Sequence, residues 1–308
     1  MDALHGLLDG PRARDAFLLR AVMRPPWAVR VQDEAPLALV AIVRGDAWVM
    51  RAASRPVRLS AGDVVITRGP DAYTFADDPG TEPQIVVHPG NRCETPDGVD
   101  LSLAMGLGVR SWGNAADGPF MMLIGSYEPR SEISGRLLRA LPPMLIAQDG
   151  DTALVRLLER EIAKDDPGQE AVLDRLLDLL LITTLRAWFA RSDAPTWFQA
   201  MSHPTVGRAL RLLHAEPARP WTVASLAAEV GLSRAALARL FTPLVGQTPM
   251  AYLAEWRLTL AADLLRDTES TVGAVAAKVG YGSAFALSTA FKRVRGVSPQ
   301  EHRVLAGA

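Results

Sequence analysis

The chain has 308 residues, 49% hydrophobic and 22% charged, with 33 basic against 34 acidic side chains and a single cysteine. This composition excludes disordered and fibrous classes and allows two domains. Cys93 alone excludes a disulfide framework and a multi-cysteine zinc site. No apolar run approaches the ~18 residues of a membrane span. The segment 1–10 carries Asp2 and Asp9 and no basic residue, so it does not read as a secretory signal. A cytoplasmic protein with no membrane partner is the expectation.

Charge divides the chain. Residues 203–308 carry 12 Arg and Lys against 7 Asp and Glu, a net +5, and residues 1–202 carry 21 against 27, a net −6. A basic end beside an acidic remainder is consistent with a polyanionic partner at that end.

Residues 27–127 read as β-structure. Short apolar stretches at 37–43, 47–50, 63–67, 84–87 and 121–125 are punctuated by Gly, Pro and Asp. That spacing suggests an antiparallel sandwich or barrel. The segment 89–118, rich in Gly, Asp and Asn, is expected to form long loops around at most one strand. From Asp151 the period becomes helical, with Leu154, Val155, Leu157, Leu158 and Ile162 recurring before the break at Pro167 and Gly168. A second helix is expected over 170–190. Its wide apolar face of Val172, Leu173, Leu176, Leu177, Leu180 and Leu185 either packs in the core or forms a dimer contact. The segment 191–204 is the linker candidate.

Residues 205–303 read as one short helix after another, and they contain an internal repeat. Val223 to Gly231 aligns with Val272 to Gly280 at an offset of 49, with Ala227-Ala228 over Ala276-Ala277. After an extra residue at Gly282 the offset is 50: Ser233 matches Ser283, Leu237 Leu287, Phe241 Phe291, Gly246 Gly296, and Thr248-Pro249 Ser298-Pro299. One supersecondary unit is used twice. Thr222 and Thr271 are placed to cap a first helix. Gly231 and Gly280 suit the left-handed turn that ends it, and Ser233 and Ser283 to cap a second. Helix, glycine turn, helix is the helix-turn-helix, whose second helix enters the major groove.

A helix from Thr248-Pro249 lies between the copies and carries Met250, Leu253, Trp256, Leu260 and Leu264. About 19 residues span ~28 Å, which can bring two recognition helices near the ~34 Å pitch of B-DNA. The last helix opens with Ser298-Pro299-Gln300-Glu301, a capping box.

The motifs Gly280-Tyr281, Phe291-Lys292-Arg293 and Gly296-Val297-Ser298-Pro299, set in this repeat, make residues 204–305 resemble the DNA-binding domain of AraC/XylS-family transcriptional regulators. The resemblance implies a sequence-specific regulator that reads two successive major-groove segments with helices near 233–245 and 283–295. The implied DNA-contacting residues are Ser233, Arg234, Ala235, Ala238 and Arg239 in the first unit. In the second they are Ser283, Ala284, Phe285, Ser288, Thr289, Lys292 and Arg293. Arg239 suits bidentate contact with guanine, Ser288 and Thr289 can donate or accept, and Lys292, Arg293 and Arg295 suit phosphates. Phe285 either packs on a thymine methyl or belongs to the core; Phe241 and Phe291 fill the core.

Residues 1–200 are similar to the cupin-type sensory domain of one branch of this family, through Trp27, the stretch 45–48, the segment 56–75, the segment 140–145 and Trp188. Thr67 and Tyr73 stand where that branch carries Pro and His. Only His5 and His88 lie in this half, so a three-histidine metal site cannot form, and neither metal, cofactor nor catalytic residues are expected. Some relatives sense oxidants with cysteines of this domain. Cys93 is therefore a redox candidate, with Arg92 and His88 available to stabilise a thiolate, or else a small inert residue.

The expected architecture is an α+β multidomain chain. It consists of a cupin-like β-barrel or sandwich with flanking helices (1–150), a helical dimerisation and linker segment (151–202), and an all-α tandem helix-turn-helix domain (203–308). The implied partners are double-stranded DNA, a second copy in a homodimer, RNA polymerase and a small-molecule effector. An enzyme and a non-specific architectural DNA protein are the rival readings.

Overall fold

The computed structural model describes residues 17–127, 141–148, 150, 152–190, 196–267 and 270–306. Its strands are β1 (Phe17–Met23), β2 (Ala28–Val31), β3 (Leu37–Arg44), β4 (Ala47–Arg51), β5 (Val57–Leu59), β6 (Val64–Thr67) and β7 (Tyr73–Ala76). They continue with β8 (Ile85–His88), β9 (Arg92–Glu94), β10 (Gly106–Gly108), β11 (Ser111–Gly113), β12 (Phe120–Tyr127) and β13 (Met144–Ala147). They pair into a seven-stranded sheet in the order β10-β11-β1-β12-β3-β6-β13 and a six-stranded sheet in the order β5-β4-β7-β2-β8-β9. One apolar cluster draws on both: Val40, Ile42, Trp112, Phe120 and Met122 from the first, and Val29, Val49, Leu59 and Phe75 from the second. Trp27 stacks on Phe120 in that cluster, with ring centroids 4.6 Å apart.

Strand β3 shows why a continuous apolar run is read easily as sheet. All of Leu37 to Ile42 are buried. Val40 and Ile42 face the other sheet, and the opposite side of β3 is covered by α1 (Thr152–Ile162). Burial on both faces removes the usual polar alternation. The segment 89–118 departs from expectation, because it holds β9, β10 and β11 rather than at most one strand. Each is three residues long: β9 and β10 pair locally with β8 and β11, and β11 also joins distant β1 in the parallel pairing of Arg20 with Ser111 and Ala21 with Trp112. Strands this short show no apolar alternation in the local sequence.

Helix α1 packs on α2 (Gln169–Phe189), and both lie against the seven-stranded sheet. Gly125 on β12 lets α2 approach: a Cβ there would sit 2.5 Å from the Leu177 side chain. The Tyr127 hydroxyl then donates to the Leu177 carbonyl at 3.0 Å. Most of the leucine-rich face is therefore core within this unit. Leu176, which the helical pattern leaves eligible for a subunit contact, is only 9% exposed, whereas Val172 and Leu179 are each 44% exposed. Within α2 these two are the large apolar side chains most open to solvent.

The first compact unit ends at Ala190 and the second continues to the C-terminus. The second contains α3 (Thr196–Ser202), α4 (Pro204–Ala215), α5 (Val223–Glu229), α6 (Arg234–Val245) and α7 (Pro249–Asp267). It closes with α8 (Val272–Val279), α9 (Ala284–Arg295) and α10 (Pro299–Ala306). Much of the expected linker is thus helical: α3 packs on α4 and α6, with Ala200 fully buried. The remainder, 191–195, lies outside the described residues. Among the described residues no helix is long and apolar enough to cross a membrane.

Candidate nucleic-acid interface

The two copies of the repeat fold alike in their caps and turns, with a reciprocal capping box in the first copy and a single cap bond in the second. In α5 the Thr222 hydroxyl accepts from the Ser225 N–H at 3.0 Å, and Ser225 returns the bond by accepting from the Thr222 N–H at 2.9 Å. In α8 the Thr271 hydroxyl accepts from the Ala274 N–H at 3.2 Å. At the turns, Leu232 N–H donates to the Ala227 carbonyl at 2.9 Å and Tyr281 N–H to the Ala276 carbonyl at 2.8 Å. Gly231 and Gly280 hold φ of 73° and 86°, the left-handed conformation that other residues adopt only with strain. Ser233 and Ser283 then accept from Ala236 N–H at 3.2 Å and Ala286 N–H at 3.1 Å, opening α6 and α9. The final capping box forms as well, with Glu301 accepting from the Ser298 N–H at 2.7 Å.

Helix α7 carries two apolar segments in succession. Tyr252, Leu253 and Trp256 belong to the core of the first unit, with Leu226, Leu237 and Phe241. Leu258, Ala261, Ala262 and Leu265 belong to the core of the second, with Val275, Leu287 and Phe291. Leu260 touches both. Arg257, between the two sets, reinforces the junction. Its guanidinium donates to the Pro217 carbonyl at 2.7 Å and the Arg219 carbonyl at 2.9 Å, and burial lowers its pKa. Gly280 packs so closely here that a Cβ would fall 2.7 Å from the Ala218 backbone. The turn of the second unit is thereby fastened to the approach to the first.

The basic side chains sort into two groups. Arg219 pairs with Glu216 and Glu229 and lies over the Trp221 ring, Arg257 holds the junction, and Arg303 donates to the carbonyls of Leu265 and Ser270. These three are structural. Sequence reasoning did not separate them, although an arginine set among the apolar residues of a central helix, as Arg257 is, is a signal for a buried anchor. Arg234, Arg239, Lys292 and Arg293 are exposed and form no ion pair among the described residues. On α6 and its cap, Ser233, Arg234, Ala235 and Arg239 are exposed, and Ala238 is half-buried. On α9 and its cap, Ser283, Ala284, Phe285, Thr289, Lys292 and Arg293 are exposed, and Ser288 is half-buried. Phe285 is 82% exposed, which removes it from the core, while Phe241 and Phe291 are fully buried.

Three comparisons bear on these units. The family model described as a helix-turn-helix domain matches residues 226–304, and the one described as cupin matches residues 2–190. An AraC-like transcription regulator from Streptomyces lividans is 31% identical over 98% of both chains. The HTH-type transcriptional regulator AlkR of Acinetobacter baylyi is 30% identical over 98% of each. A solved structure of a transcriptional regulator with an AraC-type DNA-binding domain, from Chromobacterium violaceum, is 30% identical, covers 35% of this chain and 96% of its own, and has a TM-score of 0.33.

The chain belongs to the AraC-like transcription regulators. It is a DNA-binding regulator rather than an enzyme, with a cupin domain in front of a tandem helix-turn-helix domain.

In this AraC-like regulator Cys93 lies on β9, half-buried. Burial foremost, and then the charge of Asp100, raises its thiol pKa. The groups that were to stabilise a thiolate are engaged elsewhere: Arg92 pairs with Glu94 at 2.9 Å and His88 lies 3.5 Å from the same carboxylate. Neither effect favours the reactive thiolate that a redox sensor needs.

Proposed function

We propose that this regulator binds one face of a DNA duplex, with α6 and α9 in successive major-groove segments. The observation that supports it is the pair of equivalent serine-capped helices whose exposed faces carry cations that form no ion pair among the described residues and, on α9, a solvent-facing phenylalanine. Arg239 reads guanine, and Phe285 packs on a thymine methyl. Ser233, Arg234, Ala235 and Ala238 complete the first contact set. Ser283, Ala284, Ser288 and Thr289 complete the second, and Lys292 and Arg293 hold phosphates. The cupin domain receives a small-molecule effector. Val172 and Leu179 on α2 mediate a homodimer that doubles the DNA footprint. RNA polymerase and a cytoplasmic location belong to the same reading.

The test is selection of bound duplexes from a random pool by the full chain. The expected result is an enriched motif with two base-specified segments about one helical turn apart, and binding that weakens steeply with salt. Recovery of no enriched motif overturns sequence-specific reading. For the dimer, Leu179→Glu is expected to convert a sedimenting dimer into a folded monomer.

A further inference from the structure

The sheet domain encloses a cavity of about 70 Å³ whose lining comes from both sheets. Most of its wall is apolar, with Val40, Phe75, Trp112 and Met122 among the contributors. The polar wall residues Asp33, Tyr73, Asn91 and Ser126 are not scattered through it. Val31 pairs with both Tyr73 and Val87. Asp33 lies two residues past Val31, on the passage into β3, where Ala38 pairs with Ser126. Asn91 sits in the turn between β8 and β9, just past Val87. All four therefore gather at the end where β2 hands over to β3, while Phe75, paired with Val29, and Met122, paired with Ile42, lie further along the strands.

Charge at that end has one sign. The lining includes the Asp33 carboxylate and no lysine or arginine. One oxygen of Asp33 accepts from the Ala35 N–H at 3.0 Å, which leaves carboxylate acceptor capacity for another donor. The Tyr73 phenol is pushed well above its ordinary range, by burial first and also by the Asp33 charge, so it stays protonated. Farther in, the Trp112 indole N–H is buried and has no acceptor among the described residues.

An apolar cavity of this kind binds apolar groups. A head group lodged at the polar end meets a carboxylate in a poorly hydrated site. A donating head satisfies that carboxylate, whereas an anionic head places two acceptors of like charge together with no counter-ion, at a desolvation cost.

We propose that the cavity takes a small amphiphile with an apolar body and a hydrogen-bond-donating head, an amine or an alcohol, and rejects the matching carboxylate. This deepens the reading of the cupin domain as the effector domain and rests on it.

Propylamine, propan-1-ol and propanoate are matched in length, small enough for this cavity, and differ in the head, so they separate the cases. Titrated calorimetrically into the full chain, the amine and the alcohol are expected to bind one site per chain, with propanoate at least about tenfold weaker. Asp33→Asn is expected to shrink the gap between amine and propanoate to less than about threefold, because the charge is gone. Ala38→Met fills the cavity and is expected to weaken all binding by about tenfold or more. If that variant loses its cooperative melting transition, Val87→Phe fills the cavity from a half-buried position and carries the same expectation. Propanoate binding as tightly as propylamine overturns the proposal. So does binding undiminished by the filling variant, or a gap unchanged in Asp33→Asn. Failure of all three probes with a chain that still binds its selected duplex overturns this inference alone and leaves DNA reading intact.

Discussion

Leu226, Leu237 and Phe241 in the first helix-turn-helix unit, and Val275, Leu287 and Phe291 in the second, occupy equivalent interior positions and are almost completely buried. The capping hydroxyls and the turn bonds correspond one to one as well. The outer faces do not. At its start α6 shows two arginines among alanines, whereas α9 shows Phe285, Thr289 and a cluster of basic residues toward its C-terminal end. The lesson is that packing and capping restrict inner positions to a few residue types, while outer positions diverge with whatever each helix touches. A basic cluster in the last turn of α9 also complements the negative end of that helix, which favours those residues there whatever else they touch.

The largest test of this equivalence is in the cores. Phe241→Ala and Phe291→Ala are each expected to cost about 3–5 kcal/mol, as fully buried aromatics do. Chemical denaturation of the two variants should show losses of similar size. A second unit that tolerates its substitution would show that the copies differ in cooperativity.

The two turn glycines sharpen the comparison, because they share a backbone conformation but not a neighbourhood. A Cβ at Gly231 meets nothing within 4 Å, whereas at Gly280 it meets the Ala218 backbone at 2.7 Å. Gly231→Ala is therefore expected to cost about 1–2 kcal/mol from left-handed strain, and Gly280→Ala a further 1–3 kcal/mol, roughly, for overpacking. Equal losses in thermal unfolding would deny the close approach at Arg257.

On the outer faces, Arg239→Ala is expected to cost roughly 1–3 kcal/mol and to relax preference at one base pair. Lys292→Ala is expected to weaken all duplexes alike and to reduce the salt slope by about one phosphate contact. Binding titrations against single-base variants of the selected duplex separate the two. A uniform loss for Arg239→Ala would move that residue to the phosphate group.

The smallest effect concerns Cys93. A raised thiol pKa means less thiolate at a given pH, so alkylation at pH 8 is expected to be slower than for a free cysteine and to accelerate at higher pH than usual. A rate above that of free cysteine would restore the redox reading.

Much of the DNA-binding half was legible from residues alone, since its determinants are local. A capping hydroxyl, an apolar residue every third or fourth position and a glycine at the turn act within a few residues of where they are read. The sheet domain was less legible. Its long apolar strands such as β3 stood out, but β9, β10 and β11 are three residues each, too short to alternate, and β11 is also held by distant β1; the sequences Arg-Cys-Glu and Gly-Leu-Gly carry no strand signal. The leucine-rich α2 was ambiguous for a related reason: periodicity marks an apolar face without saying what covers it.

By itself, then, the sequence determined that a helix-turn-helix unit occurs twice, where each helix is capped, and most of the side chains on the outer faces, because hydrogen bonds and burial along a helix repeat at short intervals. Tertiary structure alone decided that Leu176 is core and Leu179 is not, that Phe285 is exposed, that Arg303 anchors the carbonyls of Leu265 and Ser270, and that Asp33, Tyr73, Asn91 and Ser126 meet at one end of a cavity. Those outcomes depend on which distant backbone carbonyl or strand arrives beside a residue, and no spacing along the chain encodes that.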